Sequence, residues 1–213
     1  MVTFGSIIIG VPIGVLTAIF MAFYCPERLY KILKPAVNLM AGIPSIIYGF
    51  FGLMVFVPIV RGWWGGTGMT AFTASVLLGI MILPTIIGLS EAALRSVPTS
   101  YYQGSVALGA TNERSLLRVV VPAAKSGILS AAILGIGRSI GETMAVIMIA
   151  GNQPTIPTDI KHGVRTMTAN IVLEMAYASG AHREALIATG VVLFVFILVI
   201  NMVFNVAKRR MAS

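Results

Sequence analysis

The sequence predicts an all-α protein: a polytopic transmembrane helical bundle of about five spans, forming one domain over residues 1–213. Three observations carry that prediction. Of 213 residues, 57% are hydrophobic before glycine is counted and 10% are charged, whereas soluble domains average roughly 45–50% apolar with glycine included and about 25% charged. Mean hydropathy is +0.94. Several apolar runs exceed the ~18 residues that cross a bilayer as a helix. They are apolar on both parities, which excludes a barrel, whose strands alternate apolar and polar over ~10 residues. The single cysteine, Cys25, cannot form an intrachain disulfide.

Five segments read as spans: Val2–Phe23, Ala36–Val60, Ala71–Ser90, Gly127–Ala150 and Ala185–Ala207. Basic residues orient them. Arg28, Lys31 and Lys34 fall in the first connection, Arg95, Arg114, Arg118 and Lys125 in the long one at 91–126, and Lys208, Arg209 and Arg210 in the tail. The opposite side has only Arg61, Lys161, Arg165 and Arg183. The positive-inside rule puts the richer side, with the C-terminus, in the cytoplasm. The net charge of +8 therefore belongs to membrane orientation and does not point to nucleic acid. Nothing basic precedes the first span, so Val2–Phe23 reads as a retained helix and not a cleaved signal. Five spans with an external N-terminus suggest a further helix upstream. Trp63 and Trp64 fit an interfacial aromatic belt, beside a loop loosened by Gly65, Gly66 and Gly68.

The connection at 91–126 reads as a cytoplasmic loop of two short helices. Thr99 or Ser100 caps the first, which runs to Leu108, and Gly109 supplies a left-handed stop. Thr111 caps the second, which has Glu113 in its first turn and ends before Pro122. Gln103-Gly104-Ser105-Val106-Ala107-Leu108-Gly109, followed after nine residues by Val119-Val120-Val121-Pro122, resembles the EAA loop of ABC importer permeases. Gly109 and Pro122 match in place and spacing, while the opening EAA triplet is Gln103-Gly104-Ser105. In that family the loop's short helix seats in a groove of the ATPase subunit. The resemblance implies ATPase coupling through Gln103, Gly104, Ser105, Gly109, Ala110 and Pro122. A phosphate-cradling GxxxxGK[ST] loop needs a Gly-Lys pair, and no lysine here follows a glycine. Any driving ATP hydrolysis thus falls to another chain, and no cofactor is expected in this one.

The fourth span holds Arg138 and Glu142 in an otherwise uncharged run. A charge at mid-membrane costs at least ~2.5–3.5 kcal/mol on insertion scales, so such residues face polar cavities and mark functional paths. On one unbroken helix, i and i+4 share a face and the two charges can pair. A structural ion pair is the alternative. The guanidinium fork suits phosphate, sulfate or carboxylate, and Glu142 would accept a hydrogen bond from monohydrogen phosphate, which fully ionised sulfate cannot give.

Gly135-Ile136-Gly137-Arg138-Ser139-Ile140-Gly141-Glu142-Thr143-Met144-Ala145-Val146 resembles the GLGRAxGETMAV stretch of phosphate-specific ABC permeases, in their C-type (PstC) subunit. Ala41-Gly42-Ile43-Pro44-Ser45-Ile46-Ile47-Tyr48-Gly49-Phe50-Phe51-Gly52 is similar to the same subunits' GIPS-x-x-YGFFG segment, and Gly151-Asn152 with residues 166–174 to a later external segment. The resemblance covers essentially the whole chain and implies a MetI-like type I permease fold. It further implies a substrate path of Arg138, Glu142, Ser139, Thr143 and Ser45 carrying phosphate. The implied partners are an A-type permease subunit, an ATP-binding cassette ATPase dimer and an extracytoplasmic phosphate-binding protein. The setting is the lipid of a prokaryotic cell membrane. The chain would be a transport subunit and not an enzyme. A permease for sulfate, molybdate or another oxyanion stays open, as does a channel or membrane enzyme using Arg138 and Glu142.

Pro44 and Ser45 interrupt the second span. They line the path or make a bend, with Gly42, Gly49 and Gly52 as packing surface. Gly137 and Gly141 read as a small-residue packing pair. The external loop at 151–184 carries Val164, Met167, Ile171, Val172 and Met175 at helical spacing, predicting a surface helix of about fifteen residues. His162 and His182 lack any metal-ligand pattern, and no metal is expected.

Overall fold

Prolines set where the helices bend and stop. The computed structural model describes residues 1–212, with side chains described through Phe204 and at Val206; the basic tail Lys208, Arg209 and Arg210 lies outside the described side chains. The helices are α1 (Val2–Tyr24), α2 (Glu27–Gly42), α3 (Ser45–Trp64), α4 (Ala71–Arg95), α5 (Thr99–Ala107), α6 (Asn112–Ala123), α7 (Lys125–Ile140), α8 (Met144–Ile149), α9 (Met167–Glu174) and α10 (Gly180–Ala212). Wide turns occupy Phe20–Tyr24, Gly52–Phe56 and Leu116–Val120. Each ends two residues before a proline: Pro26, Pro58 and Pro122. A proline has no N–H and its ring displaces the carbonyl four residues back, so the preceding turn opens to an i→i−5 pattern. Cys25, Val57 and Val121 accordingly donate to Phe20, Gly52 and Leu116.

By length and apolarity α1, α3, α4 and α10 can each cross a membrane, and a fifth span counts if α6 and α7, bent by 65°, act as one. The sequence boundaries need four corrections. The span expected over Ala36–Val60 is broken at Ile43 and Pro44, so Ala36–Gly42 completes the amphipathic α2. Helix α4 continues through Glu91 to Arg95, five residues into the expected loop. The span expected over Gly127–Ala150 stops at Ile140 and resumes at Met144. The helix expected in the loop at 151–184 is eight residues long, because Val164 pairs with Gly151 in a β-bridge and Met175 falls just past the helix end.

The chain divides into two compact units. The first comprises residues 1–10, 43–82 and 136–203. Its core sets Ala74, Leu77, Leu78 and Met81 of α4 against Tyr48 and Val57 of α3, Val146 and Ile149 of α8, and Val2. Close approach explains the glycines. A Cβ on Gly49 would lie 2.9 Å from the Ala145 Cα, and one on Gly52 would lie 2.9 Å from a Leu77 methyl. Gly42, also expected to pack, has nothing within 4 Å. The loop at 151–166 closes the unit: Ala71 and Phe72 donate their amides to the His162 and Ile160 carbonyls, at 3.0 and 3.1 Å, satisfying the first donors of α4. Trp64 meets Phe72 edge-on at 5.0 Å and lies under Lys161, while Trp63 is exposed, consistent with the interfacial belt.

The second unit comprises residues 11–42, 83–135 and 204–213. Met21, Val37 and Ile87 form one apolar cluster with Tyr30, Leu33 and Leu83, and Ala18, Leu94 and Ala124 form another. Gly127 rests on Ala93 so closely that no Cβ fits. Among the apolar residues sits Glu91, buried, bonded to Tyr30, Lys34 and Arg95. Large apolar side chains of α1 and α10, among them Phe4, Leu16, Phe194 and Leu198, are exposed, as hydrocarbon solvent permits.

The Gly49 contact is testable against a second glycine on α3. Gly49→Ala forces a methyl into backbone and should cost about 1–3 kcal/mol. Gly62→Ala, with nothing within 4 Å, should be neutral or gain up to about 1 kcal/mol from helix propensity. Thermal unfolding of both variants in detergent checks the contrast.

Candidate functional site: a broken helix and an exposed hairpin

Two regions hold the residues singled out in the sequence. The first is the interruption between α7 and α8. Helix α7 ends as Gly141 and Glu142 donate amides to Gly137 and Ser139 at 3.3 and 3.5 Å, both long. Thr143, with φ −123°, precedes Met144, and its hydroxyl turns back to the Gly141 carbonyl at 3.2 Å. Glu142 Oε1 accepts from the Ala145 amide at 3.1 Å, placing a carboxylate at the start of α8, where the helix dipole favours negative charge. The Glu142 carbonyl accepts from Thr168 Oγ1 of α9 at 3.3 Å. The one-helix premise for an Arg138–Glu142 pair therefore fails: the two residues are not one turn apart on a common helix, and Glu142 is held by the next one.

Arg138 lies half-buried in the last turn of α7, and its charge acts on the buried Tyr48 of α3. Ser139 faces elsewhere. It is 2% exposed, and its hydroxyl meets Ser6 of α1 at 2.6 Å. Since Ser6 donates to the Thr3 carbonyl at 2.8 Å, Ser139 is the donor of the pair, which makes it an inter-helix contact. Ser45 begins α3, where Pro44, in extended conformation, stops helical continuity from α2. Gly137 has no neighbour a Cβ would meet, and Gly141 meets only the Gly137 carbonyl. Among the described residues the pair therefore packs against no other helix, and Gly141 lies at the break. The surrounding loop is held by Arg165, which donates to the Asn152 carbonyl (3.0 Å), Asn170 (3.3 Å) and Glu174 (2.8 Å). Asn152 has a positive φ of 49° and donates to the Ile147 carbonyl at 2.7 Å.

The second region is the α5–α6 hairpin, close to its sequence expectation. Helix α5 starts at Thr99 after an extended Pro98. Gly109 turns with φ +87°, the left-handed conformation that glycine adopts without a Cβ penalty. Thr111 Oγ1 caps the Arg114 amide at 3.4 Å. Ser115 donates to Ser105 at 2.9 Å and Tyr102 to Asn112 at 3.0 Å, so Ser105 is spent inside the hairpin. Gln103, Gly104, Gly109 and Pro122 are exposed and Ala110 is half-buried. Leu108, 91% exposed at the tip, is an apolar side chain with no cover. Sequence reasoning missed Tyr48, Thr168 and Leu108. Only tertiary neighbours single out the first two, whereas a leucine beside a turn glycine was a readable signal.

Residues 10–213 match the family described as binding-protein-dependent transport system inner membrane component. Over 207 residues the chain is 39% identical to the probable ABC transporter permease protein YqgH of Bacillus subtilis, covering 94% of this chain and 67% of that protein. Over 211 residues it is 35% identical to the phosphate transport system permease protein PstC of Mesorhizobium japonicum, covering 89% and 64%. The chain thus spans about two thirds of the length of these relatives. A chain of the inward-facing MetNI methionine ABC transporter superposes with a TM-score of 0.76 at 22% identity, covering 99% of this chain and 91% of that one. The fold is therefore that of ABC importer permeases. The chain belongs to the family of binding-protein-dependent transport system inner membrane components.

Proposed function

We propose that this chain is a permease subunit of an ATP-driven importer of inorganic phosphate. It forms the path with a second permease subunit, takes substrate from an extracytoplasmic phosphate-binding protein, and is driven by a separate ATPase dimer on the cytoplasmic side, where its C-terminus also lies. The observation that carries the reading is Arg138 at the end of an apolar helix that breaks three residues later. A guanidinium in a low-dielectric setting attracts a desolvated oxyanion and matches its oxygens with a planar fork of donors. Glu142 deepens the preference. Its Oε1 is engaged by Ala145, and Oε2 would accept the proton of monohydrogen phosphate while repelling a fully ionised sulfate. Thr143 and Ser45, at the two helix starts, would line the same path. The named phosphate permease among the relatives supports this substrate over other oxyanions.

On the hairpin, Leu108 with Gln103 and Gly104 would seat against the ATPase. Burying a leucine is worth about 1.5–3 kcal/mol, enough to matter in a small interface.

ATP-driven uptake of labelled phosphate by vesicles holding the assembled transporter tests the substrate. Native uptake should persist in excess sulfate, fall to background in Arg138→Ala, and become sensitive to sulfate in Glu142→Gln. Full uptake in Arg138→Ala, or equal competition by sulfate in the native complex, would overturn the phosphate reading. Leu108→Glu should release the ATPase on co-purification, roughly a tenfold or greater loss of affinity by the same burial estimate, while Arg138→Ala keeps it bound.

A further inference from the structure

Glu91 is 1% exposed yet ion-paired, and it ties α2 to the last turn of α4, which leads into the α5–α6 hairpin. Oε1 accepts from Tyr30 Oη at 2.6 Å and from Arg95 Nε at 2.9 Å, and Oε2 accepts from Lys34 Nζ at 2.7 Å. Tyr30 and Lys34 stand four residues apart on one face of α2. The two oxygens therefore fix the register of α2 on α4, since a slip of one turn would strand a buried carboxylate. Arg95 extends the tie to α1, donating Nη2 to the Met21 carbonyl at 3.0 Å while its guanidinium lies 4.8 Å over the Tyr30 ring. Within the same turn of α4, Ala93 is the seat of Gly127 at the start of α7. The bond to Glu91 also raises the Tyr30 phenol above its usual value, keeping it a donor.

A buried ion cluster at best breaks even in stability against apolar residues of the same shape. Register is what the cluster supplies in addition. From Arg95 the chain reaches α5 in three residues, Ser96 to Pro98, of which the first two are bonded back to α4 and Pro98 accepts from Tyr101 of α5. The Ser96 amide reaches the Ala92 carbonyl at 3.0 Å, its hydroxyl the Ala93 carbonyl at 2.8 Å, and the Val97 amide the Leu94 carbonyl at 3.4 Å. A short, bonded link transmits displacement.

We propose that Glu91 is a positioning residue of the transport cycle, locking α2 and the end of α1 to the root of the hairpin so that a displacement imposed on the hairpin is carried into α1, α2 and α7 together. This rests on the importer reading above for the ATPase that would impose it. Removing the charge while keeping the shape should leave the transporter assembled but slack.

The test uses the full complex with Cys25→Ser and spin labels at Lys31→Cys on α2 and Glu113→Cys on α6, both exposed positions. Pulsed electron resonance measures their separation without nucleotide and with ATP trapped by vanadate, beside phosphate imported per ATP hydrolysed. The native separation should be the same in both states. In Glu91→Gln it should change on trapping, and import per ATP should fall about tenfold, the scale of coupling between distant sites. Lys34→Gln, which leaves Glu91 bonded to Tyr30 and Arg95, should shift both readouts in the same direction and serves if Glu91→Gln does not assemble. Native separation and native import per ATP in Glu91→Gln would overturn the proposal, and so would failure of both variants to assemble, which would make the cluster a folding element only. The label separation is read without phosphate, so a wrong substrate would show as a native complex that hydrolyses ATP and keeps its separation yet takes up no phosphate, with the separation still changing on trapping in Glu91→Gln.

Discussion

In hydrocarbon a backbone amide or carbonyl without a partner costs several kcal/mol, and that constraint organises the rest of this structure. Helices satisfy it along their length and fail it at their ends. Wherever this chain interrupts a helix at membrane depth, something must stand in. At Gly141–Thr143 the substitutes are the Glu142 carboxylate on the Ala145 amide, the Thr143 hydroxyl on the Gly141 carbonyl, and Thr168 on the Glu142 carbonyl. The acidic side chain expected to pair with Arg138 and to serve substrate is thus also part of what makes the break tolerable.

The same constraint explains the prolines. Pro26, Pro58 and Pro122 each cost a backbone bond, and the wide turn before each one recovers it at i−5. Two of these turns let a helix continue past its proline, and the third ends α1 near the residues that Arg95 grips. Helix α7 seats Gly127 of its first turn on Ala93, in the same turn of α4 as Glu91.

Much of this was legible in the sequence. Apolar run length located α1, α4 and α10 to within a few residues, and Thr111 with Gly109 defined the hairpin turn because caps and left-handed glycines act locally. Pro44 was readable as an interruption for the same reason. The break after Ile140 was not. Glycine, glutamate and threonine are each tolerated in a helix, and only Thr168 and the α8 amides, which come from elsewhere in the fold, favour opening one there. Nor was the place of Ser139 legible: the family resemblance put it on the path, and only the fold shows that the helix phase turns it toward Ser6. Glu91 looked like the start of a loop because charge argues against burial unless three donors converge, and two of those donors lie some sixty residues earlier.

The central claim is that the break after Ile140 borders a wet path that phosphate occupies. Its most direct test is thiol accessibility in the Cys25→Ser complex, with single cysteines at Thr143 and, as a lipid-facing control, at Val195. A membrane-impermeant methanethiosulfonate reagent should modify the cysteine at 143 and not the one at 195, and phosphate should slow the reaction at 143 where sulfate does not. An unreactive cysteine at 143, or equal reactivity at both positions regardless of phosphate, would contradict the account.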